Sequence, residues 1–439
     1  MASEEQRNGA GPPSASDAPA HVGPSNPDQI IVHPDQMSFG DLLGAPTAPL
    51  PDLKVDNEPQ VATPRGTWRV VALADLHLDT PFAWAPDAVG RLRRQDLRDA
   101  LVAAVDLAAE VGADALLLAG DLYEHERLNP DTAAFLERVL NGAEVPVLVS
   151  PGNHDWLAPS SVWATASWDE HVHIFEGQQL ERFEVGGGLS VWGAAHHRPA
   201  GTSGFLENTN VSGPGVNLGL FHGSEVSGMH YEGRDEAGRS KQPHAPFEAA
   251  MIPEVGLDHA VVGHFHRRRE GTHHTYPGNP VALAFGEPGD GGAVVLDIGL
   301  DGRVHRQWHR VSARPMTDLS LDVTGCADAS AIVSELRRES LGLTGLLRVT
   351  VTGELASGVT LVDSDIAAAV AASVDHSVVR RKKLFVGYDL DLVGNESSVR
   401  GEFVRSVLSD DQLDDDLRRD VISTGLRALE GRDDLDVAR

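Results

Sequence analysis

Five short stretches of this chain end an apolar run in residues that bind metal ions. Trp68 to Leu73 leads into Ala74-Asp75-Leu76-His77-Leu78-Asp79, and Leu116 to Ala119 into Gly120-Asp121. Pro146 to Ser150 leads into Gly152-Asn153-His154-Asp155, Val216 to Phe221 into His222, and Ala260 to Val262 into Gly263-His264-Phe265-His266. A short aliphatic run that stops in Asp or His reads as a buried strand presenting polar side chains at the mouth of a sheet. The candidate ligands are therefore Asp75, His77, Asp121, Asn153, His222, His264 and His266. Imidazoles, carboxylates and one amide oxygen suit divalent ions of intermediate hardness: manganese, iron or zinc. Seven donors are too many for one tetrahedral ion and suit two ions that share a carboxylate. Asp121 is the bridge, because Gly120 beside it lets the backbone approach closely. Two ions about 3.5–4 Å apart acidify a water and clamp phosphate oxygens, which is the chemistry of in-line displacement at phosphorus. His154 is not needed as a ligand and is the candidate to stabilise the transition state or protonate the leaving oxygen.

Singly these motifs are weak, since Asp-x-His is common at strand ends and Gly-Asp is usually a turn. Gly-Asn-His-Asp after a strand and Gly-His-Phe-His after Val-Val are more specific. Five in one order, each at a predicted strand end, leave little room for chance.

The elements that must position them begin at Trp68, where strands alternate with helices in the manner of an α/β domain. Helical spacing covers Arg91 to Val111, with Leu92, Leu97, Leu101, Val105 and Leu107 on one face. A second helix runs from Pro130 to Leu140 with Asn129 as N-cap and Pro130 in the first turn, and helical turns are expected at Ser160 to Trp168. Strands follow, with Gly186-Gly187-Gly188 and Asp301-Gly302 as hairpin turns. The order reads as a mixed front and an antiparallel back, hence two sheets packed face to face with helices outside. From Arg314-Pro315 the pattern changes to strand-helix-strand-helix-strand, a small α+β domain that ends near Leu390. Val399 to Leu429 reads as helical, interrupted by acidic residues around Asp410 to Asp416. Its stripe of Leu408, Leu413, Leu417, Val421 and Leu426 is a candidate docking face.

The formal net charge of −29 and pI near 4.9 mean that the surface as a whole repels nucleic acid and anionic membranes. A phosphate-bearing substrate must be met by metal ions or a local patch. The candidates are Arg267, which follows the last metal motif, and Arg380, Arg381, Lys382 and Lys383, the densest basic run. That run equally suits protection of a sheet edge. A single cysteine excludes an intramolecular disulfide framework and fits a reducing compartment. With no apolar run of membrane-spanning length and no signal-peptide pattern, a soluble cytoplasmic protein is expected. Residues 1–66, rich in Pro, Ser, Gly and Asp, are expected to be disordered.

These motifs resemble the five signature motifs of the calcineurin-like metallophosphoesterases over roughly Trp68 to Val311. The resemblance implies a four-layer αββα sandwich. It implies that Asp75, His77, Asp121 and His266 hold one ion and that Asp121, Asn153, His222 and His264 hold the other, with His154 in the transition-state role. Asp-Leu-His-Leu-Asp-Thr-Pro, Gly120-Asp121-Leu122-Tyr123-Glu124 and the small domain after the core are similar to the SbcD/Mre-type DNA repair nucleases. By that resemblance, residues 67–313 are the catalytic domain, 314–393 a cap that holds DNA, and 394–439 an acidic helical segment. It also implies manganese-dependent phosphodiesterase activity on DNA, as a homodimer paired with an SbcC/Rad50-like coiled-coil ATPase. Glu124 departs from the histidine that some such nucleases carry, which leaves a small phosphodiester or nucleotide as the alternative substrate. A non-catalytic metal-binding module is the alternative of another class, and the intact ligand set argues against it.

Overall fold

A computed structural model describes residues 67–227, 243–287 and 291–430, all within one compact unit spanning Lys54–Arg439. The expected disordered tail at residues 1–66 lies outside the described residues. In chain order the first elements are β1 (Trp68–Leu73), α1 (Asp87–Glu110), β2 (Ala115–Leu118), α2 (Pro130–Asn141), β3 (Val147–Val149), α3 (Val162–Thr165) and β4 (Val172–Ile174). Next come β5 (Glu181–Gly186), β6 (Leu189–Gly193), β7 (Val216–His222), α4 (Met251–Glu254), β8 (His259–Gly263), β9 (Arg269–Glu270) and β10 (His274–Tyr276). The hairpin β11 (Ala293–Ile298) and β12 (Val304–His309) precedes β13 (Met316–Asp322), α5 (Ala329–Glu339), β14 (Leu346–Leu355), α6 (Asp363–Val370) and β15 (His376–Val386). The helices α7 (Leu390–Gly394), α8 (Val399–Leu408) and α9 (Asp415–Leu429) follow.

The strands form a six-stranded sheet of order β12-β11-β1-β2-β3-β4, a second of order β5-β6-β7-β8-β10-β9, and a three-stranded sheet β13-β14-β15. Period-two alternation decides what lies between the first two sheets. Val70 and Ala72 of β1 face Leu218, Leu220 and Val261 of the second sheet, while Val71 and Leu73 turn outward onto α1 and α2. Each fully buried Val or Leu contributes about 1.5–3 kcal/mol, so this double-sided burial holds the strand ends in place. Phe205, Phe247 and Ile252 from loops and α4 cover Phe221, Ala260 and Val262.

The second sheet is not the antiparallel back expected from the sequence, because β6-β7, β7-β8 and β8-β10 pair in parallel. Among the described residues of this sheet, antiparallel pairing is confined to β5-β6 and β9-β10. β7 and β8 are buried at every position, the signature of strands covered on both faces, which parallel pairing favours. The three-stranded sheet is parallel throughout, with α5 and α6 as its crossovers. Helix α1 buries Leu97, Ala100, Leu101, Ala104 and Ala108 together with Arg93 and Asp96, an alanine-rich stripe that a search for large apolar residues underweights. The C-terminal stripe is broken by a turn between α8 and α9. Val404, Ile422 and Leu426 pack together, whereas Leu408 and Leu417 are 46% and 49% exposed. Among the described residues no helix is long and apolar enough to cross a membrane.

Asn129 occupies the N-cap of α2, but its side chain makes no capping bond. The carboxylate of Asp79 instead anchors this end of the helix, accepting from Asn129 N–H at 2.8 Å and Thr132 Oγ1 at 2.9 Å. Asp79→Ala should therefore lower stability by about 1 kcal/mol in urea unfolding, while Asn129→Ala stays within about 0.5 kcal/mol. Equal costs for the two variants would contradict this anchoring.

Candidate metal centre

Parallel pairing brings the C-terminal ends of β1, β2, β3, β7 and β8 to one edge, where the motif loops interlock. Beyond the strands, Asp75 N–H donates to Gly120 O at 3.0 Å, His77 N–H to Asp121 O at 2.9 Å and Leu78 N–H to Leu122 O at 2.8 Å. Asp75, His77, Asp79 and Asp121 have φ of 55°, 52°, 69° and 54°, and His264 has 108°. Non-glycine residues rarely enter this left-handed region, and strain of this kind concentrates at functional sites. Gly120 is required: at φ +82°, a Cβ there would lie 2.7 Å from Gly152 N and 2.9 Å from His222 Nδ1. Asp155 ties the loops together, its carboxylate accepting from Asp121 N–H at 3.0 Å, Leu122 N–H at 2.9 Å and Gly152 N–H at 2.6 Å. Burial, with Asp121 close by, pushes its carboxyl up to about 7.

Three groups of potential donor atoms lie within 4.8 Å of one another: Asp75, His77 and His266; Asp75, Asp121 and His222; and His77, Asp121 and His154. Asp75, Asp121 and His222 are buried. Asn153 is buried beside them, with Oδ1 lacking a hydrogen-bond partner. His264 stands one step outside these groups. Its ring centroid is 5.3 Å from that of His222, and its N–H donates to Asp75 Oδ1 at 2.9 Å. Arg267, next to His266, is exposed. Arg380, Arg381, Lys382 and Lys383 lie elsewhere, exposed on β15 at the edge of the three-stranded sheet, where Arg381 pairs with Asp363 at 2.7 Å.

Hydrogen bonding sets which imidazole nitrogens point inward. His77 Nδ1 is 2.8 Å from Glu124 Oε1, and His266 Nδ1 is 3.1 Å from Glu287 Oε1. With Nδ1–H donated to each carboxylate, Nε2 carries the lone pair, and the two Nε2 atoms face each other at 3.2 Å. His222 donates Nδ1–H to Ala119 O at 2.9 Å, which turns its Nε2 toward Asp121 Oδ2 at 3.1 Å. Lone pairs facing lone pairs and a carboxylate in a buried site call for cations, and the donor set fits divalent ions. In the metal-free state protons take their place. Burial draws His222 down, but Asp121 and Asp75 outweigh it and lift the imidazole to about 9; His266 is likewise raised, against burial, by Glu287 and Asp75. Burial raises Asp75, whereas Asp121 is held well below the usual carboxylate range because the surrounding histidines outweigh its burial.

Glu124 was seen in the sequence only as a departure from a pattern. In the structure its second oxygen, Oε2, lies 3.0 Å from His154 Nδ1, so one carboxylate holds both His77 and His154. Burial works against both charges, but the pairing wins, taking Glu124 to about 2 and His154 to about 9. Glu287, Asp155 and His196, whose Nε2 is 2.7 Å from His222 O, were missed. Asp155 closes the Gly-Asn-His-Asp motif without an evident role there, and Glu287 and His196 follow no motif that spacing alone could single out.

The family model for calcineurin-like phosphoesterase matches residues 69–268. Residues 69–268 are a calcineurin-like phosphoesterase domain. Among curated proteins, the chain is 28% identical over 279 residues to the uncharacterized metallophosphoesterase YhaO of Bacillus subtilis, covering 59% of this chain and 64% of that one. It is 40% identical over 92 residues to the DNA double-strand break repair protein Mre11 of Halobacterium salinarum, covering 20% of this chain and 22% of that one. The chain thus spans less than two thirds of either relative. The solved structure of TT1561 of Thermus thermophilus is similar at a TM-score of 0.33 and 16% identity, over 56% of this chain and all of that one.

Because His222, lifted to about 9, holds a proton at neutral pH until an ion displaces it, metal binding to this phosphoesterase domain at pH 7 should release protons. Calorimetric titration with Mn²⁺ in buffers of different ionisation enthalpy measures this, and a buffer-independent heat would contradict it.

Proposed function

We propose that this chain is a two-metal phosphodiesterase that cleaves DNA, with Asp121 shared between ions held by Asp75, His77 and His266 on one side and Asn153, His222 and His264 on the other. The observation that carries the reading is the pair of imidazole Nε2 atoms 3.2 Å apart, each fixed from behind by a glutamate. The donor set suits manganese, with iron or zinc as substitutes. When bound, two such ions supply Lewis acidity toward phosphate oxygens and an acidified water. The protein's own part falls to His154. Held cationic by Glu124 at neutral pH, its imidazolium stabilises charge building on the phosphoryl oxygens and delivers a proton to the leaving oxygen.

The nuclease reading draws on the partial likeness to a protein named for DNA double-strand break repair and on the three-stranded unit after the core. We assign residues 67–313 to catalysis, 314–393 to a cap over the substrate, and 394–439 to partner docking. Arg267, beside His266, would contact phosphates. A second copy and a coiled-coil ATPase are the partners, with exposed Leu408 and Leu417 as the docking contacts. A second reading, hydrolysis of a small phosphodiester or nucleotide, is favoured by one observation. Both Glu124 oxygens are engaged by imidazoles, so this position has no group left to steer a strand.

Purified protein with Mn²⁺ should cleave oligonucleotides, and Asp121→Ala should abolish that cleavage. His154→Ala should lower kcat about 10²–10⁴-fold, and Glu124→Gln should lower it by a smaller factor with KM nearly unchanged. Turnover of bis-p-nitrophenyl phosphate without DNA cleavage would move the assignment to small substrates. Metal loading without turnover of either would leave a binding module.

A further inference from the structure

Glu287 lies beyond the family match, which ends at residue 268, yet it stands directly behind a metal-facing imidazole. Oε1 is 3.1 Å from His266 Nδ1, while Oε2 accepts from Asn279 Nδ2 and from Leu283 N–H, both at 2.7 Å. The carboxylate is therefore fixed by its own segment, 279–287, and Asn279 N–H in turn donates to His266 O at 3.0 Å.

The other side of this segment carries the three-stranded unit. Ala282 is buried with Met316 of β13 and Leu346 of β14, and Phe285 packs against that cluster. The Arg348 guanidinium of β14 lies 5.1 Å from the centroid of the Phe285 ring. Arg93, buried in α1, donates to Ala282 O at 2.7 Å and to Arg314 O at 2.9 Å, bracing the segment to the linker that enters β13. One short stretch thus touches His266 with Asn279 and Glu287 and the neighbouring unit with Ala282 and Phe285.

We infer that Glu287 is a positioning residue for His266, and that segment 279–287 passes the docking of the three-stranded unit to that imidazole. One of the two metal positions would then depend on how the unit sits. The inference rests on the two-metal reading above and extends it. An imidazole whose rear nitrogen loses its carboxylate typically loses 10–100-fold in metal affinity. The coupling is reciprocal, so an ion at that position favours the docked unit by the same factor.

The test is Mn²⁺ titration of the full chain by calorimetry, with thermal unfolding confirming that each variant is folded. Glu287→Ala should weaken one of the two positions about 10–100-fold and leave the other as in the parent. Glu287→Gln, which keeps one acceptor oxygen, should lose less. The pair Met316→Ala with Arg348→Ala, made in the neighbouring unit, should weaken that same position by about 5-fold or more. Equal weakening of both positions in Glu287→Ala, or none, would overturn the positioning role. Unchanged affinities in the Met316 and Arg348 variant would overturn the transmission. A parent that binds fewer than two ions would sink the two-metal reading and this one together, whereas failure to cut DNA with both ions bound bears only on the substrate.

Discussion

With Nδ1–H of each ring given to a glutamate, the Nε2 atoms of His77 and His266 stand 3.2 Å apart, too close for two bare lone pairs, and neither ring can turn away. Water cannot relieve the conflict cheaply where Asp75, Asp121 and His222 are all buried. Positive charge must enter, as protons or as ions, and the raised proton affinity of His222 and His266 expresses the same demand. Much else in the site follows from that constraint. Asn153 keeps an unpartnered buried oxygen, which would be a fault in a dry core and is an asset beside a cation.

Holding such a cluster together costs backbone strain. Four residues of the Asp75 to Asp79 and Gly120 to Asp121 loops adopt left-handed conformations without being glycine, and each costs on the order of 1–3 kcal/mol. The compensation lies in neighbouring bonds. The two loops run on as a hydrogen-bonded ladder past the end of β1 and β2, and the Asp155 carboxylate satisfies three backbone N–H groups at once. Beneath them, the apolar layer between the sheets locks the register, since a one-residue slip of β1 would exchange Val70 and Ala72 for Val71 and Leu73.

The strand-end residues were legible in the sequence because an apolar run that stops in Asp or His is a local pattern, and Asp75, His77, Asp121, His222 and His266 do meet in space. What supports them was not legible. Glu287 reaches His266 across 21 residues and Asp155 reaches Leu122 across 33, contacts that no periodicity encodes. The direction of the second sheet was misread for a related reason. Glycine turns announce hairpins locally, but the parallel pairing of β6, β7 and β8 depends on connections whose paths the sequence pattern does not reveal. Alanines also hid the packing face of α1, where Ala100, Ala104 and Ala108 permit close approach without a strong hydropathy signal.

The charge distribution bears on how a phosphate could approach at all. In a chain of net charge −29, the Arg380 to Lys383 run is the obvious attractor, yet its setting argues for another role. It lies on the edge strand β15, where the register shifts opposite Val351 and Gly353 and Lys383 adopts φ 50°. Arg381 is already engaged by Asp363 and by Leu361 O. Charges and a bulge on an exposed edge are what a sheet uses to discourage pairing with another strand. Attraction for a phosphate must then come mainly from the centre itself, where cationic His154 and any ions held there would concentrate positive charge at the strand ends. An acidic exterior around such a focus sharpens selectivity, because an anion gains little from the surface and must reach the cluster to be held.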